Sequence, residues 1–331
     1  VKVLTPLELE ETFRSWDAGY DLRVPIRLPD GTRAWGKIDE GPLALRGGPI
    51  LAKPTAFFFP QSETELEYEE TGKLRLPSPP SRPFLLVGLT AQDAESIAFV
   101  DEFFRANFQD DLYFRRREGA VIVVVWGRCG QNGELLRRAK QGCDLELVWD
   151  GERLLLIPRS ERGWELYLAV RGGKEEEASP SLEEMEKEAA CLMAADEELL
   201  RRSSALLLED RIPDQFWEEV SKSCIACTAC NLLCPTCTCF EVYDWKEENK
   251  VERRRLWDSC QLEGFAREAS GHNPLGTEAS RTRRRIHHKL GADVARWGRI
   301  TCFLCGRCDV VCPTGLGIKA LSREMVRRYG P

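Results

Sequence analysis

Cys224-Ile-Ala-Cys227-Thr-Ala-Cys230-Asn-Leu-Leu-Cys234-Pro235 and Cys302-Phe-Leu-Cys305-Gly-Arg-Cys308-Asp-Val-Val-Cys312-Pro313 repeat one pattern, C-x₂-C-x₂-C-x₃-C-P, at every position. That spacing is the bacterial ferredoxin arrangement for [4Fe–4S] clusters. A tight C-x₂-C-x₂-C loop can aim three sulfurs at one cube. The fourth thiolate of each cube comes from the other run in two-cluster ferredoxins. The spacing therefore predicts one cluster on Cys224, Cys227, Cys230 and Cys312, and a second on Cys302, Cys305, Cys308 and Cys234. Pro235 and Pro313 turn the chain away after the fourth ligand. Zinc is the competing occupant of C-x₂-C pairs, but zinc sites use two pairs of ligands rather than two runs of four ending in Cys-Pro. Cubes with four protein ligands carry electrons one at a time and have no open iron for substrate.

The remaining composition sets limits around this core. A chain of 331 residues is a soft prior for two domains. Charged residues make up 31% and the formal net charge is −7, which argues against a general nucleic-acid binder. The longest apolar run, Ala120 to Trp126, is strand-sized, so no membrane span is expected, and no secretory signal is visible at the N-terminus. Eight of the fourteen cysteines fall in the two runs, at spacings suited to metal and not to a disulfide framework. The expected compartment is therefore the reducing cytoplasm.

The pattern upstream predicts an α+β protein. A mixed α/β scaffold or docking domain is expected over residues 1–175. A mostly helical, ferredoxin-like domain follows over 176–331, with an insertion at 240–300 between the runs. Thr5-Pro6 caps a helix over Leu7 to Trp16, and turn residues then leave room only for short strands. Phe57-Phe58-Phe59-Pro60 reads as a core strand, or as a docking ridge. Phe84–Leu89, a helix from Ala91 to Phe104 capped by Thr90, and Ala120–Trp126 form a predicted βαβ unit. Asp150-Gly151 predicts a hairpin between Leu145–Trp149 and Leu154–Ile157. Past the break at Gly172-Gly173, helices are expected from near Ser181, over Pro213–Val220, through most of Phe240–Ile300, and over Lys319–Tyr329.

An ordered series of motifs surrounds the runs. Thr236-Cys237-Thr238-Cys239-Phe240 is followed by Trp257-Asp-Ser-Cys260, Glu268-Ala-Ser-Gly-His-Asn-Pro274, Arg283-Arg-Arg-Ile-His-His-Lys289 and Pro313-Thr-Gly-Leu-Gly-Ile318. The series resembles the dicluster iron–sulfur subunit shared by anaerobic sulfite reductase, as its A subunit, and the cytoplasmic sulfhydrogenases, as their β subunit. The likeness covers the C-terminal third, and extends more weakly to Pro60–Glu63 and Leu86–Asp93. The resemblance implies two [4Fe–4S] clusters and an electron-transfer role. The partners it implies are a flavin subunit fed by NAD(P)H or a carrier, and a subunit with the catalytic metal centre. Many family members have a cysteine-rich segment where this chain has only Cys129 and Cys143, which argues against a third cluster there.

Several residues lie outside the two-cluster pattern. Cys237, Cys239 and Cys260 read either as an extra cluster or active thiol site, or as small apolar packing beside the clusters. Cys191 sits among helical apolar positions and reads as core. His272, His287 and His288 can tune a cluster or simply pack. The basic run Arg281–Lys289 reads as a solvated helix face or as a dock for an acidic partner. Gly315-Leu-Gly317 lacks the third glycine and the preceding strand of a dinucleotide fingerprint. No phosphate-binding glycine loop appears and no nucleophile-and-base set stands out, so flavin and nicotinamide sites are expected on partners.

Overall fold

The computed structural model describes residues 1–69, 72–106, 108–151, 153–177, 180–248 and 250–330. Its strands are β1 (Lys2–Leu4), β2 (Asp21–Arg27), β3 (Arg33–Gly36), β4 (Ser62–Glu69), β5 (Leu74–Arg75), β6 (Phe84–Leu89), β7 (Val121–Arg128), β8 (Leu135–Leu136), β9 (Leu145–Trp149), β10 (Leu154–Pro158), β11 (Lys174–Glu175), β12 (Phe240–Lys246) and β13 (Lys250–Trp257). The helices are α1 (Pro6–Asp17), α2 (Ala91–Arg105), α3 (Asp111–Arg117), α4 (Glu161–Ala169), α5 (Ser181–Leu208), α6 (Asp214–Ser221), α7 (Ala229–Leu232), α8 (Glu278–His287), α9 (Asp293–Trp297), α10 (Arg307–Val311) and α11 (Ile318–Tyr329). Contacts divide the chain into two compact units, Val1–Phe59 with Pro79–Met193, and Pro60–Ser78 with Ala194–Pro331.

The first unit is built on a mixed sheet in the order β11-β1-β10-β9-β7-β6-β2-β3, with β8 on β7. β2, β6, β7 and β9 run parallel at its centre. Their continuous apolar runs are buried, as strands covered on both faces must be. α2 makes the crossover from β6 to β7, so the βαβ expectation holds. A reciprocal capping box between Thr90 and Asp93 starts α2, and another between Thr5 and Glu8 starts α1. β9 and β10 form the expected hairpin, with Trp149 opposite Leu154. Gly127, at φ 89°, lets β7 approach β9, where a Cβ would lie 2.2 Å from the Trp149 carbonyl oxygen. Phe58 and Phe59 are buried as expected, but they follow a 3₁₀ turn, Pro54–Phe57, instead of forming a strand. Pro54 favours the turn, and the rings pack on Phe84, Phe104 and Tyr113. Cys191 is exposed, contrary to the core expectation. α5 buries Leu182, Met185 and Ala189, and at 100° per residue Cys191 turns to the opposite side.

The second unit has a helical core of Leu206, Phe216, Trp217, Ile286, Leu290, Leu321 and Met325, drawn from α5, α6, α8, α11 and the turn after α8. Beside it lies an antiparallel sheet in the order β12-β13-β4-β5. Here the insertion departs from the helical expectation, because it opens with the β12–β13 hairpin. Phe240, Val242, Tyr243 and Trp245 are strand-forming residues whose alternation is hidden by interleaved charges. β4 pairs with β13, which draws Pro60–Ser78 out of the expected N-terminal domain. The pairing is locked by a buried Arg255–Glu63 ion pair, with Arg255 Nε 2.9 Å from Glu63 Oε1.

Candidate iron–sulfur centre

The two cysteine runs fold as copies of one another. In each, a loop takes two left-handed turns before a short helix: Ala226 (φ 52°) and Thr228 (φ 63°) before α7, Leu304 (φ 59°) and Gly306 (φ 76°) before α10. Left-handed backbone costs a non-glycine residue roughly 1–3 kcal/mol and persists only where its surroundings enforce it. Alternating left- and right-handed residues curl successive N–H groups into a concavity that favours an anion. Strain at matching positions in both loops therefore marks two cradles for negatively charged groups. α7 packs on α10, which brings the runs together across the insertion.

The cysteines meet as crossed sets. Cys224, Cys227, Cys230 and Cys312 line one cavity. Burial pushes the Cys230 thiol up, Arg285 opposes this, and Cys224, Cys312 and Cys227 act on it in turn. Cys302 is likewise raised by burial, and its thiol neighbours are Cys308, Cys305 and Cys234. Burial pushes Cys308 up to about 12. Such thiols must lose protons to bind metal, so loading the site releases them. Among the described residues no three Cys, His, Asp or Glu side chains converge as they would on a single ion.

Hydrogen bonds to sulfur repeat as well. The Thr236 hydroxyl lies 3.4 Å from Cys234 Sγ, and the Thr314 hydroxyl 3.5 Å from Cys312 Sγ. The Leu316 N–H donates to Cys312 Sγ at 3.2 Å, and the Ile318 N–H to Cys308 Sγ at 3.5 Å. Sequence reasoning passed over the two threonines, although Cys-Pro-Thr stands at the end of both runs.

The basic run does not behave as a solvated face. Arg281, Arg285 and Lys289 recur every four residues and are all buried. The π turn His288–Ala292, which follows α8, carries Lys289. Burial opposes the Lys289 charge, but Cys234, Cys237, Cys302 and Asp293 outweigh it and hold the pKa above its ordinary value. Cys230, Cys308, Cys237 and Cys312 do the same for buried Arg285. Arg283 reaches outward, to Asp214 at 2.7 Å and Asp210 at 3.4 Å.

The insertion folds back on the first run. Asn231 Nδ2 donates to Ser259 Oγ at 3.0 Å and to Cys260 Sγ at 3.2 Å. Cys260 shares a hydrogen bond with Cys239, which together with Asn231, His288 and Arg284 brings its pKa down to about 6 against burial. Cys239 is raised correspondingly, by that hydrogen bond and by burial. Cys237 and Cys234 share a side-chain hydrogen bond. His288 Nε2 lies 3.3 Å from Asp293 Oδ1, His287 is half-buried, and His272 is exposed.

Comparison with known proteins gives this geometry a lineage. A family described as a 4Fe-4S dicluster domain matches residues 223–316. Sulfhydrogenase 2 subunit beta of Pyrococcus furiosus is 30% identical over 241 residues, covering 70% of this chain and 70% of that protein. The chain belongs to the sulfhydrogenase β-subunit family. It is an iron–sulfur electron-transfer subunit akin to a hydrogenase β subunit, and its dicluster domain suits [4Fe–4S] clusters. As in the β subunit it resembles, a role within a multi-subunit assembly follows from the family. No solved structure matches the chain. Among the described residues no helix is long and apolar enough to cross a membrane.

Proposed function

We propose that this chain relays single electrons through two [4Fe–4S] clusters inside a cytoplasmic oxidoreductase complex. One partner is a flavin subunit linked to NAD(P)H or a carrier. The other holds a catalytic metal centre of the hydrogenase or sulfite reductase type. Cys224, Cys227, Cys230 and Cys312 ligate one cluster; Cys302, Cys305, Cys308 and Cys234 ligate the other. The observation that carries this reading is the meeting of Cys312 with the first run, and of Cys234 with the second. When bound, such a cluster takes up and gives out one electron at a time. The thiolates fix its place, the left-handed turns hold the loops around it, Thr314 and the Leu316 and Ile318 amides donate toward its sulfur ligands, and the Thr236 hydroxyl lies 3.4 Å from Cys234 Sγ. The test is isolation of the native complex with identification of its subunits. The expected result is co-purification with a flavoprotein and a metal-centre subunit. Purification of the chain alone, with no partner and no visible cluster absorption, would overturn the proposal.

A second reading makes Cys237, Cys239 and Cys260 an extra cluster or active thiol site, and the lowered Cys260 thiol beside Cys239 favours it. Cys260→Ala decides it. Unchanged iron content and unchanged coupled activity would remove this reading.

A further inference from the structure

Arg285 and Lys289 stand four residues apart on one face, 5% and 4% exposed. Burying a charge costs several kcal/mol unless a partner compensates it. Among the described residues Arg285 has no carboxylate partner, and its polar contact is the Leu316 carbonyl. Asp293, an acid that acts on Lys289, already accepts from the Thr301 hydroxyl and from His288. What surrounds both cations is thiol. Arg285 lines the cavity of Cys224, Cys227, Cys230 and Cys312. The Leu316 that it binds donates its own N–H to Cys312 Sγ at 3.2 Å. Lys289 Nζ donates at 2.6 Å to Thr236 Oγ1, which lies 3.4 Å from Cys234 Sγ. The same hydroxyl donates at 3.1 Å to the carbonyl of Thr301, which precedes Cys302. Lys289 is thus wired to the set of Cys234 and Cys302, whereas Arg285 lines the first set and also acts on Cys308 of the second.

We propose that Arg285 and Lys289 set the reduction potentials of the two clusters unequally: Arg285 acts chiefly on the cluster on Cys224, Cys227, Cys230 and Cys312 and more weakly on the other, and Lys289 acts on the cluster on Cys302, Cys305, Cys308 and Cys234. The proposal rests on the two-cluster reading above. Reduction adds one negative charge to a cluster. A fixed positive charge in a low-dielectric interior favours that state, so each cation raises the potential of the cluster beside it. The cations act as positioning residues, through the field at the sulfurs and not as ligands. Spacing by one helical turn lets each be changed without moving the other.

The test is a redox titration of the iron-loaded full chain, followed by electron paramagnetic resonance of the reduced clusters. Arg285→Gln and Lys289→Gln are compared with the charge-keeping Arg285→Lys and Lys289→Arg. Each glutamine variant is expected to disfavour reduction of one cluster at least tenfold, a shift of about 59 mV to more negative potential for one electron. The other cluster moves less, and the charge-keeping variants restore most of the shift. If a glutamine variant fails to retain iron, Thr236→Val is the second probe, expected to move only the cluster ligated by Cys234. Unmoved potentials in a chain with both clusters present, or equal movement of both clusters in every variant, would overturn this inference alone. A wild-type chain that binds no iron would overturn the two-cluster reading and this inference with it.

Discussion

Thr228 and Gly306 occupy the same left-handed position in the two cluster loops, and only one of them is a glycine. A Cβ at Gly306 would meet nothing within 4 Å, so the difference between the residues is conformational and not steric. Thr228→Gly is expected to stabilise the iron-loaded chain by roughly 1 kcal/mol, and Gly306→Ala to destabilise it by a similar amount. Thermal unfolding of the two variants checks the opposite signs. Cys129 supplies a pH test. It is fully buried at the end of the central sheet, and burial pushes its thiol up to about 12. Because its folded pKa lies above the ordinary thiol value, the stability it gives is complete below that value, and is lost as pH rises toward 12. Cys129→Ala is expected to flatten the alkaline fall in stability. A denaturation series from neutral to alkaline pH that shows identical slopes would contradict this. At this scale the eight cysteines proposed as ligands stood out because their spacing matches that of cluster-binding loops. Arg285 and Lys289 were not. Their four-residue interval was visible, but a charged stripe reads as solvated until the sulfurs that face it are placed.

The elements divide in the same way. α1, α2 and the β9–β10 hairpin follow from local signals, namely the Thr5 and Thr90 caps and the turn at Asp150-Gly151. Thr90→Ala is expected to cost about 1 kcal/mol through loss of its cap, read by urea unfolding. The β12–β13 hairpin was hidden, because its partner β4 lies far away in sequence and only their pairing decides the conformation. Register there rests on a buried charge pair, Glu63 with Arg255, each side chain 3% exposed. Breaking such a pair from one side leaves a charge stranded in the interior. Glu63→Ala is therefore expected to destabilise the cluster-bearing unit by roughly 3–5 kcal/mol. A loss below about 1 kcal/mol would place the pair among surface bridges in energetic terms.

For the whole molecule, the division into units changes how function is dissected. Removing residues 1–175 would also remove β4 and strand Arg255, so that cut damages the unit that carries the cysteines. The two cysteine runs are brought together by α7 and α10 within that unit. The cysteine spacing suggested one-electron chemistry, the motifs of the insertion narrowed the family, and neither revealed the interior cations beside the sulfurs. The most direct measurement is iron and acid-labile sulfide per chain after anaerobic purification. Two [4Fe–4S] clusters predict about eight of each; about four, or zinc in place of iron, would contradict the account.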